Sequence, residues 1–260
     1  AATLRITIDN LAPENGTALT PVWFGIHDGT FDLYNRGEAV TEGLERLAED
    51  GTVDDLNAEF LASGAGDIQG FITGLEDAPG PIDPGETTSY LVNVDANAPR
   101  SLYFSFAAMV LPSNDFFIAN GNPLATQIFD DAGNFLSADF VVSGAEVLDA
   151  GTEVNDEIPE NTAFFGQMDP NTGTPENEGV ELATGFIPGG NILSSADFFN
   201  GDFTAPGYNV ARFQIELVEE GATAVPEPGS VLALLVAGGF LAKRRFRQAV
   251  YDTVGFDSVV

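Results

Sequence analysis

Thr3 to Asp9 sets Leu4, Ile6 and Ile8 against polar partners in strict alternation, the period of a strand with one face buried. The signal recurs along the chain. Pro21 to Ile26, Ser89 to Val94, Leu102 to Leu111, Ala125 to Phe129, Phe135 to Val142 and Val210 to Val218 read as further strands. Turn sequences part them: Asp83-Pro84-Gly85, Asn97 to Arg100, Asp131-Ala132-Gly133-Asn134 and Ala205-Pro206-Gly207. Short strands joined by tight turns predict an all-β antiparallel fold, a β-sandwich. One stretch departs from the pattern. Thr41 is placed as an N-cap, Leu44, Leu47 and Ala48 fall at helical spacing, and after a break at Gly51 the spacing resumes with Val53, Leu56 and Phe60. Two short helices are expected there, packed on the sheets. Glu157 to Glu181 is rich in Pro, Gly, Asn and Glu without periodicity and reads as a long loop, of the kind that is usually functional or mobile.

The 260 residues suffice for one large all-β domain, and 21 Phe against a single Trp make phenylalanine the main core material. Charge is distributed very unevenly. Residues before Pro226 hold 37 of the 40 acidic side chains and only five Arg, with no Lys. Such a surface repels nucleic acid and anionic head groups, which are bound largely through Lys and Arg, and its natural ligands are cations. No cysteine is present, so disulfides and thiolate metal sites are excluded. The chain starts at Ala1 without a visible signal peptide, as expected of a mature exported chain after cleavage.

The end of the chain has a different character. Pro226-Glu227-Pro228 precedes an apolar run from Val231 to Ala242 and the cluster Lys243-Arg244-Arg245-Phe246-Arg247, which holds four of the nine basic residues. Basic residues beside an apolar segment mark the cytoplasmic side of a membrane. As a helix, Gly229 to Ala242 would reach only about 21 Å, short of the roughly 30 Å hydrocarbon core. Its Leu, Val and Phe side chains cover every face, unlike a helix packed on one side. The pattern resembles a PEP-CTERM sorting signal, a bacterial tail cut at the membrane by an exosortase. The expected organisation is a β domain over 1–218, a linker over 219–230 with the motif Pro226, Glu227 and Pro228, an apolar helix and basic cluster including Lys243, Arg244 and Arg245 over 231–247, and an extension over 248–260.

Within the β region, separated blocks resemble the spondin N-terminal domain. They are Trp23-Phe24-Gly25-Ile26-His27-Asp28, Gly37-Glu38-Ala39, Gly43 to Gly51, Asp83 to Thr87, Met109 to Phe117, Asp149 to Glu157 and Asn209 to Phe213. The resemblance implies a C2-like antiparallel β-sandwich that binds calcium in loops at one end and serves adhesion. Carried over position by position, it makes Asp115 of Pro112-Ser113-Asn114-Asp115 and Asp149 of Asp149-Ala150-Gly151-Thr152 calcium ligands, with Asp95 as a third carboxylate. Calcium takes about six to eight oxygens, and Glu153, Asn155 and Asp156 could add some or simply solvate the loop.

Other chemistries find less support. His27 is the only histidine, which rules out His-based metal clusters, and no Gly-x-Ser-x-Gly elbow is present, so His27 reads as a structural residue. Asp169-Pro170-Asn171-Thr172-Gly173 has the opening of an EF-hand loop but neither flanking helices nor the Glu at its twelfth position. Glycoside hydrolysis needs two carboxylates at a set separation, and nothing in the pattern positions such a pair. The expectation is a secreted or surface-delivered, non-catalytic calcium-binding module of a bacterial extracellular matrix. Its partners would be extracellular polysaccharide or another matrix or cell-surface component. The competing readings are a subunit that assembles with itself through sheet edges and a polysaccharide-active enzyme.

Overall fold

The computed structural model describes residues 1–75 and 80–218. The linker, apolar helix, basic cluster and extension expected over 219–260 lie outside the described residues. Among those described, no helix is long and apolar enough to cross a membrane.

Two antiparallel sheets form the frame. One holds β5 (Thr87–Val94), β1 (Ala2–Asn10), β11 (Asn209–Leu217) and β8 (Ala138–Ser143) in that order. The second runs β10 (Glu181–Leu182), β9 (Leu148–Asp149), β7 (Phe116–Ala119), β6 (Tyr103–Leu111), β3 (Val22–His27) and β4 (Ile68–Ile72), with β2 (Ala18–Leu19) paired to β6. The alternation in β1 works as expected: Leu4, Ile6 and Ile8 are fully buried between the sheets, opposite Leu217, Ile215 and Phe213 in register on β11. Phe106 and Phe213 meet there with ring centroids 4.2 Å apart, and Phe140 stacks on Phe213 at 5.2 Å.

β3 and β6 are buried along nearly their whole length because the second sheet is covered on both faces. Phe24, Ile26, Phe104 and Phe106 face the first sheet, while Trp23, Ala107 and Phe117 face a second core made by α1 (Glu42–Asp50) and α2 (Asp54–Ser63). That third layer explains the continuous apolar run in β6. The helices start and stop where the sequence indicates. Thr41 Oγ1 accepts from Leu44 N, and Gly51 closes α1 in the left-handed region at φ 68°.

Two strand expectations need adjustment. Ala125 to Phe129 runs beside β6 through bonds such as Phe104 N to Thr126 O at 2.9 Å, but it forms only isolated bridges. The turn at Asp130, whose carboxylate accepts from Ala132 N and Asn134 N, cuts it short. Phe135 to Val142 pairs with β11 only from Ala138 onward. The short strands β4 and β7 are additional elements. Glu157 to Val180 carries no regular element, and Glu157, Phe164 and Asn171 in it adopt positive φ.

Candidate metal centre

β6 ends at Leu111, the chain turns through Pro112–Asp115, and β7 returns beside β9, with Phe116 in register with Asp149. This pairing brings Asp115 and Asp149 together. Asp115 is fully buried, and its Oδ2 accepts from Thr152 N at 2.9 Å, Glu153 N at 3.0 Å and Thr152 Oγ1 at 3.3 Å. Asp149 Oδ1 accepts from Gly151 N at 2.9 Å. The two remaining oxygens converge on one atom. Asn155 Nδ2 donates to Asp115 Oδ1 at 2.9 Å and to Asp149 Oδ2 at 3.0 Å.

The loop depends on Gly151, which adopts φ 68°; a Cβ there would lie 2.9 Å from the Glu178 backbone. A second segment zips alongside through Val154 N to Thr174 O, Glu176 N to Thr152 O and Glu178 N to Gly151 O. Burial raises the Asp115 pKa against the pull of its hydrogen bonds. Asp149 is pushed up to about 7, first by burial and then by the charge of Asp115, with Glu176 and Glu178 adding to it.

Further carboxylates adjoin the pair from α1 and the 152–155 loop. Glu153 is buried, its Oε1 accepts from Gly173 N at 2.9 Å, and its Oε2 has no partner. Burial, and after it the charges of Glu49 and Asp50, lift Glu153 to about 8. Glu49 and Asp50 are themselves raised by burial, and both pair with Arg46, Asp50 at 3.0 Å. Sequence reasoning named Glu153 but missed Glu49 and Asp50. Glu49 follows Ala48 on the buried side of α1, and a carboxylate among Leu44, Leu47 and Ala48 was the available signal.

Asp95 is not part of this constellation. It follows Val94, which pairs with Ala2 where β1 begins, and it is exposed, accepting from Asn97 N at 3.1 Å. Asp115 lies at the opposite end of the sandwich, where Leu111 pairs with Ala18 and the Asn10 side chain at the end of β1 bonds to Thr17 O and Ile82 O. The antiparallel register of β5 with β1 therefore carries Asp95 away from the pair. Asp156 turns aside too, accepting from Ile158 N and Asn161 Nδ2.

The remaining candidates occupy structural positions. His27 is buried; its Nδ1 accepts from Gly29 N at 2.9 Å, so Nε2 carries the proton and donates to Ser105 Oγ at 2.8 Å. That tautomer offers Ser105 no base, and burial lowers the His27 pKa to about 4. Trp23 is fully buried with Nε1 donating to Asn57 Oδ1, which removes it as a stacking platform for sugars. The Asp169–Gly173 turn docks on the acidic triplet through Asn171 N to Asp50 Oδ1 and Gly173 N to Glu153.

Residues 11–122 match the family model described as Spondin_N. The matched stretch runs from β2 to β7 and includes both helices and Asp115, whereas β1, Asp149, Asn155 and the closing strand lie outside it. No curated protein matches the chain.

A calcium ion implied by that resemblance can be tested against these donors. Among the described residues, no group of three or more His, Cys, Asp or Glu side chains is placed to hold a metal ion. The fit comes instead from two carboxylate oxygens aimed at one point beside an amide that carries its own oxygen. A hard cation would draw its other oxygens from the backbone and water.

Proposed function

We propose that the chain is a secreted or cell-surface β-sandwich module that binds calcium at Asp115 and Asp149 and associates, without catalysis, with extracellular polysaccharide or another matrix or cell-surface component. The observation that carries this reading is the convergence of Asp115 Oδ1 and Asp149 Oδ2 on the Asn155 amide nitrogen. Two anions aimed at one donor, with Asp149 lifted to about 7, are short of positive charge at neutral pH. A bound divalent ion supplies that charge. Asn155 borders a small cavity with Ser113, Asn114 and Glu157, and a half-turn of its amide would present Oδ1 to the pair. The backbone donors of Thr152 and Glu153 hold Asp115 in place, and the 174–178 segment zips the loop to its neighbour, so this end of the sandwich becomes a rigid surface. Delivery to the cell exterior would follow from the Pro226-Glu227-Pro228 tail through an exosortase-type enzyme and transient membrane insertion.

A melting-temperature titration tests the reading on the whole chain, with magnesium as control. A saturable, calcium-selective rise that Asp149→Asn abolishes is expected, together with calcium-dependent retention on matrix polysaccharide. A titration flat for calcium, or a rise that the substitution leaves intact, would sink it.

A further inference from the structure

The Asn155 amide faces two carboxylates with its nitrogen, and the charge between them decides that orientation. Nδ2 donates to Asp115 Oδ1 at 2.9 Å and to Asp149 Oδ2 at 3.0 Å, which uses both of its protons, while among the described residues Oδ1 accepts no hydrogen bond. The reverse orientation would set the lone pairs of Oδ1 against two carboxylate oxygens, so without a cation only the present one is stable. A cation reverses the preference, because it repels the amide protons and attracts the amide oxygen. The two ends of the amide are nearly equal in size, so a half-turn exchanges them within the same envelope. The backbone around Asn155 is tied down on both sides. Val154 N donates to Thr174 O at 2.8 Å, Ile158 N to Asp156 Oδ1 at 2.9 Å, and the Glu157 carboxylate accepts from Ile187 N at 2.6 Å and Ile192 N at 3.1 Å. The side chain can therefore turn while its Cα stays in place.

We infer that Asn155 is the sensor of the metal site: its NH2 group stands in for the ion in the metal-free protein, and its amide turns to offer Oδ1 when calcium enters. The inference rests on the calcium reading of Asp115 and Asp149 and adds the residue that regulates it. Uptake of the ion gives up two hydrogen bonds to carboxylates, the stronger kind, and gains one amide oxygen. Asn155 thus keeps the two anions together when calcium is scarce and lowers the affinity of the site by the same contacts. A side chain of the same shape with oxygen but no donor reverses both effects, and Asn155→Asp is that side chain.

Nuclear magnetic resonance on the whole chain, labelled with 13C and 15N and titrated with calcium from EDTA, decides it. The Asn155 NH2 signals are assigned through their own Cβ, and the backbone amides of Thr152 and Glu153, which donate to Asp115, report binding itself. The Asn155 protons should start downfield, as donors to carboxylates, and move upfield in step with the Thr152 and Glu153 signals, with exchange against water faster by about tenfold or more. In isothermal titration Asn155→Asp should bind calcium about tenfold more tightly or better, while its metal-free melting temperature falls. Thr152 and Glu153 signals that move while the Asn155 pair stays put, or an Asn155→Asp that binds no more tightly than wild type, overturn the sensor and leave the calcium reading standing. Signals from all three residues that ignore calcium overturn the reading and the sensor with it.

Discussion

Replacing Asp149 by Asn should stabilise the metal-free protein and destabilise the calcium-loaded one. Lifting this carboxyl from its ordinary 3.8 to about 7 is worth roughly 4 kcal/mol, at about 1.4 kcal/mol per pH unit. Solvent reaching part of the side chain screens roughly half of that, leaving about 2 kcal/mol. The folded pKa is raised, so the stability is fully present below 3.8 and is lost as pH climbs through about 7. Asparagine removes that loss but can serve only one of the two donors, Gly151 N and Asn155 Nδ2, at a cost of about 1 kcal/mol. The net gain near pH 8 in EDTA is about 1 kcal/mol, or about 2 to 4 °C in melting temperature for a domain of this size. Near pH 5 the gain should vanish. With calcium at about 10 mM the order should invert, because the wild type gains about 1.4 to 2.7 kcal/mol of binding energy that the variant lacks. Scanning calorimetry over this pH range with EDTA or calcium reads all three signs. A variant destabilised equally in both would show that Asp149 is an ordinary hydrogen-bonded carboxyl, and the charge argument would be wrong.

His27 works in the opposite direction. Its folded pKa of about 4 lies below the ordinary 6.5, so its contribution is present above 6.5 and is lost as pH falls toward 4; His27→Gln should be less stable at neutral pH yet lose less over that interval in calorimetry. Phe106→Ala, which removes a ring 3% exposed and packed on Phe213 and Phe140, should cost about 3 to 5 kcal/mol in urea denaturation. Thr41→Ala loses both the cap to Leu44 N and the bond to Glu59 Oε2 at 2.7 Å and should cost about 1 kcal/mol by the same assay. Gly25→Ala would place a Cβ 2.7 Å from the Trp23 ring and 2.8 Å from Phe60, overpacking the core under α2 by about 1 to 3 kcal/mol.

Local periodicity carried most of the frame. Leu4, Ile6 and Ile8 announce a one-sided strand, and Thr41 and Gly51 bracket a helix whose caps form as their chemistry requires. Periodicity is silent about partners, which is why the shortest strands escaped it: Phe116-Phe117-Ile118-Ala119 is too short to show alternation and becomes β7 only because β6 and β9 flank it. The site divides the same way. Asp115 and Asp149 are 34 positions apart, and the sequence motifs select both, yet Asp95 drops out because only the strand register states which end of the sandwich a loop occupies. Glu49 and Asp50 join the site because the distant 169–173 turn packs over the end of α1, a contact that helical spacing does not show.

On the proposed calcium reading, folding and cation supply are linked at the acidic end of the molecule. Asp115, Asp149, Glu153, Glu49 and Asp50 are all raised by burial, and Arg46 is the counter-ion that pairs with two of them. Extracellular calcium modules bind at about 0.1 to 1 mM, so an ion at about 1 mM returns at most about 1.4 kcal/mol to the folded state. That is close to the roughly 2 kcal/mol that ionising Asp149 costs at the same pH. The calcium increment of about 1.4 kcal/mol moves the global melting temperature by about 3 to 6 °C, and the loops around the pair localise the effect. The bonds that tie 151–154 to 174–178 close over the pair, and they should show the largest calcium-dependent slowing of amide exchange, with Val154, Glu176 and Glu178 as donors. Exchange slowed uniformly across β1 and β11 instead would mean that calcium acts on the whole charged surface rather than at Asp115 and Asp149.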